Sequence, residues 1–204
     1  MGERLRWARR LQAIAQSGLT YTENPYDRAR FEAVRELAAE IAASASGEER
    51  LELLARFADE AGYATPKVDV RGVVLEQGRV LLVREVGETR WALPGGWADV
   101  GETPSRAVEK EVREEAGVDA RAVRVLAVYD RDFRSRPQWP AHVYKLYVLC
   151  ERVAGEPAGD GLETEEAAFF PLDDLPQLSP KTPPEHLRGA LAVAAEPSGG
   201  AALD

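Results

Sequence analysis

The sequence predicts an α/β fold, a sandwich built on a mixed sheet and preceded by a small helical extension. Apolar residues recur at helical spacing through the first sixty or so residues. From Lys67 onwards they alternate or form short runs, as in strands. One helical pattern is inserted among the strands and a second closes the chain, which favours a layered α/β arrangement. We therefore expect an extension over residues 1–63, a domain over 67–196 and a disordered tail over 197–204.

Three helices are predicted in the extension. The first ends near Gly18, the second begins at Asn24-Pro25, and the third runs from Glu48 to Ala61. Short helices bury little apolar surface by themselves, so we expect this segment to pack on the rest of the chain or on a second subunit. The apolar residues that recur at helical spacing are Leu5, Leu11, Ile14, Phe31, Val34, Leu37, Ile41, Leu51, Leu54 and Phe57.

The following domain is predicted to begin with a hairpin and to end with a helix. Thr65-Pro66 is typical of a boundary, and Gln77-Gly78 is typical of a turn between two strands. A closing helix is expected over residues 183–195. The predicted strands are residues 68–75, 80–83, 122–129, 142–150 and 167–170.

The helix between these strands carries the most informative pattern, GWADVGETPSRAVEKEVREEAGV, residues 96–118. Thr103 is a suitable N-cap, and Pro104 suits the first helical position. Gly117 suits the C-terminal stop. A helix is therefore predicted between these residues, with Val108, Val112 and Ala116 on one side.

Three glutamates, Glu111, Glu114 and Glu115, fall on an arc beside that apolar side. Neighbouring carboxylates repel one another and destabilise a helix. A divalent cation would remove the repulsion, and oxygen ligands suit magnesium or manganese. The alternative is a solvated acidic face, which would not account for the fixed spacing of Gly96 and Glu102 ahead of the helix. The pattern favours a metal site.

Residues 96–118 resemble the signature of the Nudix hydrolases, which cleave nucleoside diphosphates linked to another moiety. The resemblance implies a Nudix-type α/β/α sandwich with a mixed sheet. One position departs from the signature, because Lys110 stands where the family has arginine. Lysine offers a point charge instead of a planar fork. The departure therefore bears on the rate of catalysis and not on the fold.

Three further segments, residues 7–42, 142–151 and 163–179, resemble one branch of that family, which carries an N-terminal helical extension. Members of the branch are pyrophosphatases that act on CDP-choline or ADP-ribose, and they are typically dimeric. The resemblance thus implies a homodimer, with the extension as the dimerisation element, and a small nucleotide as the substrate.

The resemblance also implies the cation and its ligands. Glu111 and Glu115 are expected to bind Mg²⁺ or Mn²⁺, with Glu114 as a further or water-mediated ligand and the Gly96 carbonyl completing the shell. Glu102 is expected to anchor the helix by pairing with Lys110. The implied reaction is attack of water on a phosphorus of the diphosphate bridge, which releases a nucleoside monophosphate and a phosphorylated partner.

The general base differs in position among members of this superfamily. Glu163, Glu165 and Glu166, just before the last predicted strand, are the candidates on a loop, and Glu166 is the first choice. The alternative is that all three are solvated loop charges.

The predicted substrate contacts are basic or aromatic residues. The segment 130–140 combines arginines with Phe133 and Trp139, which suits phosphates and a stacked base. An ordinary surface loop is the competing interpretation, and core packing is the competing role for the tryptophans. The candidates are Arg71, Arg84, Trp91, Arg131, Arg134 and Trp139.

Composition excludes several classes of function. A net charge of −9 argues against a basic surface for duplex nucleic acid. Cys150 is the only cysteine, so an internal disulfide and a cysteine-rich zinc site are excluded. No apolar run resembles a signal peptide or a membrane span, so we expect no membrane partner and a cytoplasmic location. Two alternatives to the pyrophosphatase stay open: hydrolysis of nucleoside triphosphates or RNA ends, and nucleotide sensing without turnover.

Overall fold

The structure, a computed structural model, describes residues 2–132, 141–196 and 199–203. The chain forms two compact units. The first comprises Met1–Lys67 and Asp130–Val143, and the second comprises Val68–Tyr129 and Tyr144–Asp204.

The first unit contains the three predicted helices: α1 (Gly2–Tyr21), α2 (Pro25–Ser46) and α3 (Arg50–Asp59). The Asn24 side chain caps α2 by accepting from the backbone N–H of Tyr26 at 2.8 Å, as the Asn-Pro pair predicted. Small side chains let the helices approach closely. The buried residues of this core are Leu5, Ala8, Ala38, Ala39, Ala42, Ala45, Leu53 and Phe57.

The first helix extends past Gly18, where the sequence had predicted its end. A Cβ at Gly18 would lie 2.5 Å from the Phe31 ring of α2. The glycine therefore makes room for an aromatic ring between two helices, and it does not stop α1.

Residues 130–132 and 141–143 group with these helices, although the sequence placed them within the domain of residues 67–196. Arg9 of α1 pairs with Asp132, with Nη1 and Oδ2 2.6 Å apart and both side chains nearly buried. The Lys67 N–H donates to the His142 carbonyl at 3.0 Å. Neither contact follows from sequence spacing, because each joins residues far apart in the chain.

The strands and the two remaining helices follow the predicted order. A single sheet runs β3-β2-β1-β5-β4-β7, and β6 pairs with β2. The pairs that β2 makes with β1, β3 and β6 are antiparallel, whereas β4 and β7 are parallel, so the sheet is mixed as predicted. The elements are β1 (Lys67–Glu76), β2 (Arg79–Glu85), β3 (Trp91–Ala92), α4 (Pro104–Ala116), β4 (Asp119–Asp130), β5 (Val143–Ala154), β6 (Thr164–Pro171), α5 (Pro184–Ala194) and β7 (Ala202–Leu203).

Helix α4 packs on one face of this sheet. Its Val112 shares a core with Val70 of β1 and Val83 of β2, all at most 1% exposed. A Cβ at Gly72 of β1 would lie 2.5 Å from Cγ2 of Val112. The helix can approach the sheet this closely only because that position lacks a side chain.

Helix α5 covers the opposite face. Its buried His186 accepts or donates a hydrogen bond through Nδ1 to the Tyr147 hydroxyl of β5, at 3.1 Å. The His186 ring also lies 4.8 Å from that of Tyr129 on β4. One helix on each face gives the α/β/α sandwich that the resemblance implied.

The tail differs from the expected disorder. Residues Ala202–Leu203 form β7, which pairs with Ala127 and Val128 on the edge strand β4. Arg124 donates to the carbonyls of Val193 at 2.8 Å and Glu196 at 3.0 Å, beside the tail. An edge strand leaves backbone groups unpaired, so even a small, polar tail can add to it.

Cys150 is buried, and burial raises the pKa of its thiol to about 12, so the group stays protonated at neutral pH. Among the helices of the described ranges, none combines the length and apolar character needed to cross a membrane.

We expect Gly72→Ala to lower the free energy of unfolding by about 1–3 kcal/mol, because the new Cβ overpacks the contact with α4. Urea unfolding followed by circular dichroism measures the change. Gly200→Ala is the control, since a Cβ there meets nothing within 4 Å. Equal stability of the two variants would contradict the proposed role of Gly72 in seating the helix.

Candidate active site

Helix α4 has the local signals that the sequence predicted at both ends. The Thr103 hydroxyl accepts from the backbone N–H of Arg106 at 3.3 Å, and Pro104 occupies the first turn. Gly117 ends the helix with a φ of 67°. With its apolar side on the sheet, the helix holds Glu111 and Glu115 one turn apart on an adjoining side.

The backbone of Gly95 and Gly96 lies directly against these two glutamates. The Gly95 N–H donates to Oε2 of Glu115 at 2.7 Å. A Cβ at Gly96 would lie 2.9 Å from Oε2 of Glu111. Gly95 has a φ of 144°, and a Cβ there would lie 2.0 Å from the Val70 carbonyl oxygen, so no other residue fits. We call residues 93–96 the glycine segment.

The glycine segment is held along β1 by backbone hydrogen bonds. The Gly72 N–H donates to the Pro94 carbonyl at 2.8 Å, and the Val70 N–H donates to the Gly96 carbonyl at 2.9 Å. The Gly96 oxygen, which the sequence proposed as a metal ligand, therefore already accepts one hydrogen bond. A carbonyl has a second lone pair, so the position keeps one acceptor site.

Burial and like charge raise the pKa values of both glutamates. For Glu111, burial is the main cause, and the carboxylates of Glu114 and Glu163 add to it. For Glu115, burial again dominates, and the carboxylates of Glu111 and Glu85 add to it, giving a pKa of about 7. The Gly95 N–H works in the opposite direction, because it stabilises the charged form of Glu115. The negative charges of Glu85, Glu114 and Glu163 thus all act on this pair of glutamates.

The donor chemistry fits a divalent cation. A cation among partly buried carboxylates would relieve both their repulsion and their desolvation, and oxygen donors suit Mg²⁺ or Mn²⁺. Glu114 is exposed and acts on the group through its charge. Within residues 2–132, 141–196 and 199–203, no three acidic, histidine or cysteine side chains are grouped closely enough to enclose a metal ion by themselves. The fit to a divalent cation therefore depends on the carboxylates of Glu111 and Glu115 together with the adjacent backbone.

Lys110 joins the loop before α4 to the helix. Its Nζ lies 2.9 Å from Oδ2 of Asp99 and 3.6 Å from Oε1 of Glu102. The hydrogen bond to Asp99 is the main cause that raises the pKa of Lys110. The expected pairing of Glu102 with Lys110 is present, and Asp99 is an additional partner that the sequence did not indicate.

The loop glutamates separate into two groups. Arg84 on β2 pairs with Glu165 and, at 3.0 Å, with Oε2 of Glu166, which is its direct neighbour across the strands. The adjacent pair, Val83 and Ala167, belongs to the core under α4, so Arg84 and Glu166 lie on the other face of the sheet. Glu163, by contrast, acts on the pKa of Glu111. Glu166, the first choice as the base from the sequence, is thus paired with Arg84 on the face of the sheet opposite to α4.

Arg84 and Trp91, two of the predicted substrate contacts, lie next to each other. The Arg84 guanidinium lies 5.9 Å from the centre of the Trp91 ring. Trp91 is partly buried, and its ring meets Phe170 edge to face at 4.6 Å. Arg84 and Trp91 therefore share one face of the sheet, together with Glu166.

The other four predicted contacts are placed differently. Arg71 is 5% exposed and its fork is held by Asp69, with hydrogen bonds of 2.7 and 2.8 Å. This burial favours a positioning role over contact with a phosphate. Arg131 belongs to the helical unit, where burial is the main cause that lowers its pKa. Arg134 and Trp139 lie outside the described residues.

Sequence reasoning missed Glu85 and Lys181. Lys181 Nζ lies 2.6 Å from Oε2 of Glu85, whose charge also acts on Glu115. The alternation of β2 contained the signal for Glu85, because Leu81 and Val83 face α4 and the next residue on that side is Glu85. Lys181 lies in a loop and had no such signal.

Family models match nearly the whole chain. Residues 3–57 match the description "UDP-X-like, N-terminal oligomerisation domain", and residues 64–189 match "NUDIX domain". A putative ADP-ribose pyrophosphatase of Bacillus subtilis is 44% identical over 174 residues, which cover 85% of this chain and 83% of that protein.

Two solved structures are similar over long stretches. A UDP-X diphosphatase is 33% identical with a TM-score of 0.64, covering 99% of this chain and 98% of the other. An ADP-ribose pyrophosphatase from Streptococcus suis is 38% identical with a TM-score of 0.61, covering 69% of this chain and 100% of the other.

We expect Gly96→Ala to raise the dissociation constant of Mn²⁺ by about tenfold, because the new Cβ displaces the Glu111 carboxylate. Electron paramagnetic resonance of free Mn²⁺ during titration of the protein measures the constant. Gly200→Ala serves again as the unhindered control. An unchanged constant for Gly96→Ala would mean that Glu111 does not bind the cation in the observed orientation.

Proposed function

This chain belongs to the Nudix hydrolases and is a pyrophosphatase of that family, and on that premise we propose its substrate class and mechanism. The substrate is a nucleoside diphosphate linked to another moiety, of the ADP-ribose or CDP-choline type. Hydrolysis of the diphosphate bridge gives a nucleoside monophosphate and a phosphorylated partner. The observation that carries the proposal is the placement of Glu111 and Glu115 against the backbone of Gly95 and Gly96.

The proposed cation is Mg²⁺ or Mn²⁺, held by Glu111 and Glu115, with Glu114 and the Gly96 carbonyl as further contacts. When bound, such a cation offsets the negative charge of the diphosphate and lowers the pKa of a bound water. The raised pKa values of Glu111 and Glu115 support this assignment, since burial outweighs the nearby positive charges of Lys110 and Arg71, and a bound cation would stabilise the charged carboxylates.

The protein's own residues would orient the substrate and remove a proton. We propose Glu163 as the general base that accepts the proton of the attacking water at its carboxylate. The next residue, Thr164, donates from its hydroxyl to the Glu115 carbonyl at 2.6 Å, so this loop lies against α4, and the charge of Glu163 contributes to the raised pKa of Glu111. Trp91 is the proposed stacking surface for a base, and Arg84 the proposed polar contact beside it.

The similarity to ADP-ribose pyrophosphatases over both parts of the chain supports the linked nucleoside diphosphates over the two alternatives. Nucleoside triphosphates and RNA ends share the scissile diphosphate, so the α4 glutamates cannot distinguish them. A sensing module would bind nucleotide without turnover, and it would have no need of all three glutamates, Glu111, Glu114 and Glu115.

Turnover of a substrate panel tests the proposal. We expect ADP-ribose or CDP-choline to be hydrolysed faster than nucleoside triphosphates or triphosphorylated RNA, with Mg²⁺ or Mn²⁺ present. Glu111→Gln and Glu115→Gln should lower kcat/KM by about 10²-fold or more while circular dichroism shows an intact fold. Retained turnover in both variants would defeat the metal site, and binding with no product would support the sensing alternative.

The same assay separates the two candidate bases. Glu163→Gln should lower kcat by about 10²- to 10⁴-fold, the range expected for a general base. Glu166→Gln should cost less, because its carboxylate is already paired with Arg84. A larger loss in Glu166→Gln than in Glu163→Gln would restore the choice that the sequence favoured.

We propose that the chain forms a homodimer through the helical extension. Trp7, Ile14 and Tyr21 recur every seven residues on α1 and are 53%, 54% and 70% exposed. Large apolar side chains aligned on one side of a helix are suited to a protein interface. The match of residues 3–57 to an oligomerisation domain supports this proposal.

Light scattering coupled to size exclusion tests the interface. The double variant Trp7→Glu/Ile14→Glu should elute as a monomer, because each charge would be buried in the interface. Leu51→Glu is the control, since Leu51 is 68% exposed but lies on α3. A dimer that persists in the double variant, or a monomeric parent chain, would contradict the proposed surface.

A further inference from the structure

The first residue of the glycine segment, Leu93, is fixed by two side chains from elsewhere in the fold. Arg71 on β1 donates from Nη1 to the Leu93 carbonyl at 3.2 Å. The Thr182 hydroxyl, just before α5, accepts from the Leu93 N–H at 2.9 Å. Leu93, Arg71 and Thr182 are all buried, so water cannot replace either bond.

Arg71 belongs to a buried cluster that also reaches the Thr182 loop. Asp69 accepts from the Arg71 fork through both carboxylate oxygens, and its Oδ1 also accepts from Lys145 Nζ at 3.1 Å. Lys145 in turn donates to the Lys181 carbonyl at 2.9 Å. Through Arg71, Asp69 and Lys145, these hydrogen bonds join the glycine segment to the loop at residues 181–182.

Burying these charges costs free energy. This cost indicates that the cluster is needed to hold the backbone in a particular position. Two cations and one carboxylate lie together at 2–6% exposure. Apolar residues of similar size often give equal or greater stability than such a cluster. What apolar residues cannot supply is a directed hydrogen bond to the Leu93 carbonyl.

Two residues beyond Leu93, the same segment meets the glutamates of α4. The Gly95 N–H donates to Glu115, and the Gly96 backbone lies against the Glu111 carboxylate. We expect a shift of Leu93 to reach these contacts, because only Pro94, whose ring restricts the backbone, separates Leu93 from Gly95.

We propose that Arg71 and Thr182 are positioning residues, which fix the glycine segment so that Glu111 and Glu115 are held in the geometry that binds the catalytic cation. The inference rests on the proposed function of those two glutamates as metal ligands. It gives Arg71 a role other than contact with the substrate phosphates, although the sequence favoured that contact.

Substitutions that keep the size or charge of the side chain test separately the two hydrogen bonds made to Leu93. Arg71→Lys retains the buried charge but loses the fork that spans Asp69 and Leu93. Thr182→Val retains the shape of the side chain but removes the acceptor for the Leu93 N–H. Thr182→Ser retains the hydroxyl and is the rescue variant. Arg124→Lys is the matched control, because Arg124 also bridges backbone carbonyls but at the end of α5.

Two measurements are made on each full-length variant: the dissociation constant of Mn²⁺ for the protein alone, and kcat and KM for ADP-ribose at saturating Mn²⁺. We expect Arg71→Lys and Thr182→Val to raise the Mn²⁺ constant by about tenfold or more and to lower kcat, as outer-shell changes do. KM should change by less than about twofold, since neither residue is placed to touch the substrate. Thr182→Ser and Arg124→Lys should keep the parent values.

Each contrary result has a definite meaning. Unchanged Mn²⁺ binding in both Arg71→Lys and Thr182→Val would overturn the inference and leave the cluster a purely structural one. A raised KM with unchanged Mn²⁺ binding in Arg71→Lys would overturn it in favour of a phosphate contact. If Arg71→Lys does not fold, the comparison of Thr182→Val with Thr182→Ser decides alone.

Glu115→Gln separates this inference from the proposed function. If Glu115→Gln binds Mn²⁺ as tightly as the parent chain, the proposed metal site itself fails. If Glu115→Gln loses Mn²⁺ while Arg71→Lys and Thr182→Val retain it, the site stands and only the positioning role fails.

Discussion

The close approach of α4 to the backbone of β1 is the constraint on which the site depends. Gly72 lets the helix descend onto the strand, and Gly95 lets the following segment pass the Val70 carbonyl. A Cβ at Gly72 would force the Val112 side chain to shift, and a Cβ at Gly95 would overlap the Val70 carbonyl oxygen. Because the helix and the segment meet the same strand, the Gly95 N–H reaches Glu115 at 2.7 Å. A small displacement of either element would lengthen that bond beyond a useful distance.

The sheet separates a partly buried acidic group from a buried cluster of two cations and one carboxylate. Val70 and Val74 of β1 join the core under α4, so the intervening Arg71 points to the face covered by α5. The acidic group with Glu111 and Glu115 lies at the α4 side, and the cluster of Asp69, Arg71 and Lys145 lies on the α5 side. Arg71 nevertheless acts across this short distance and lowers the pKa of Glu115, against the larger effect of burial. The positive charge of Arg71 thus partly offsets the negative charge of the two glutamates, in addition to that of Lys110, which acts on Glu111.

Local signals allowed the sequence to predict α4, its ends and the arc of glutamates, because capping and helical period depend on residues within a few positions. Features that depend on distant partners could not be predicted in this way. The burial of Arg71 requires Asp69 and Lys145 to meet on neighbouring strands, and Gly18 is a packing residue only because Phe31 lies opposite. Likewise, the register of β2 with β6 decides that Glu166 pairs with Arg84. Spacing along the chain contains none of this information.

Lys110 replaces the arginine of the family signature, and its contacts show what this replacement does to the support of α4. Arginine is superior to lysine where one planar fork meets one carboxylate with two parallel hydrogen bonds. Lys110 instead lies between two separate carboxylates, at 2.9 Å from Asp99 and 3.6 Å from Glu102. A compact ammonium with three donors suits two partners in different directions at least as well as a fork does. In this chain the residue ties the preceding loop to α4 through both partners, so the loss of planarity does not by itself weaken the support of the helix.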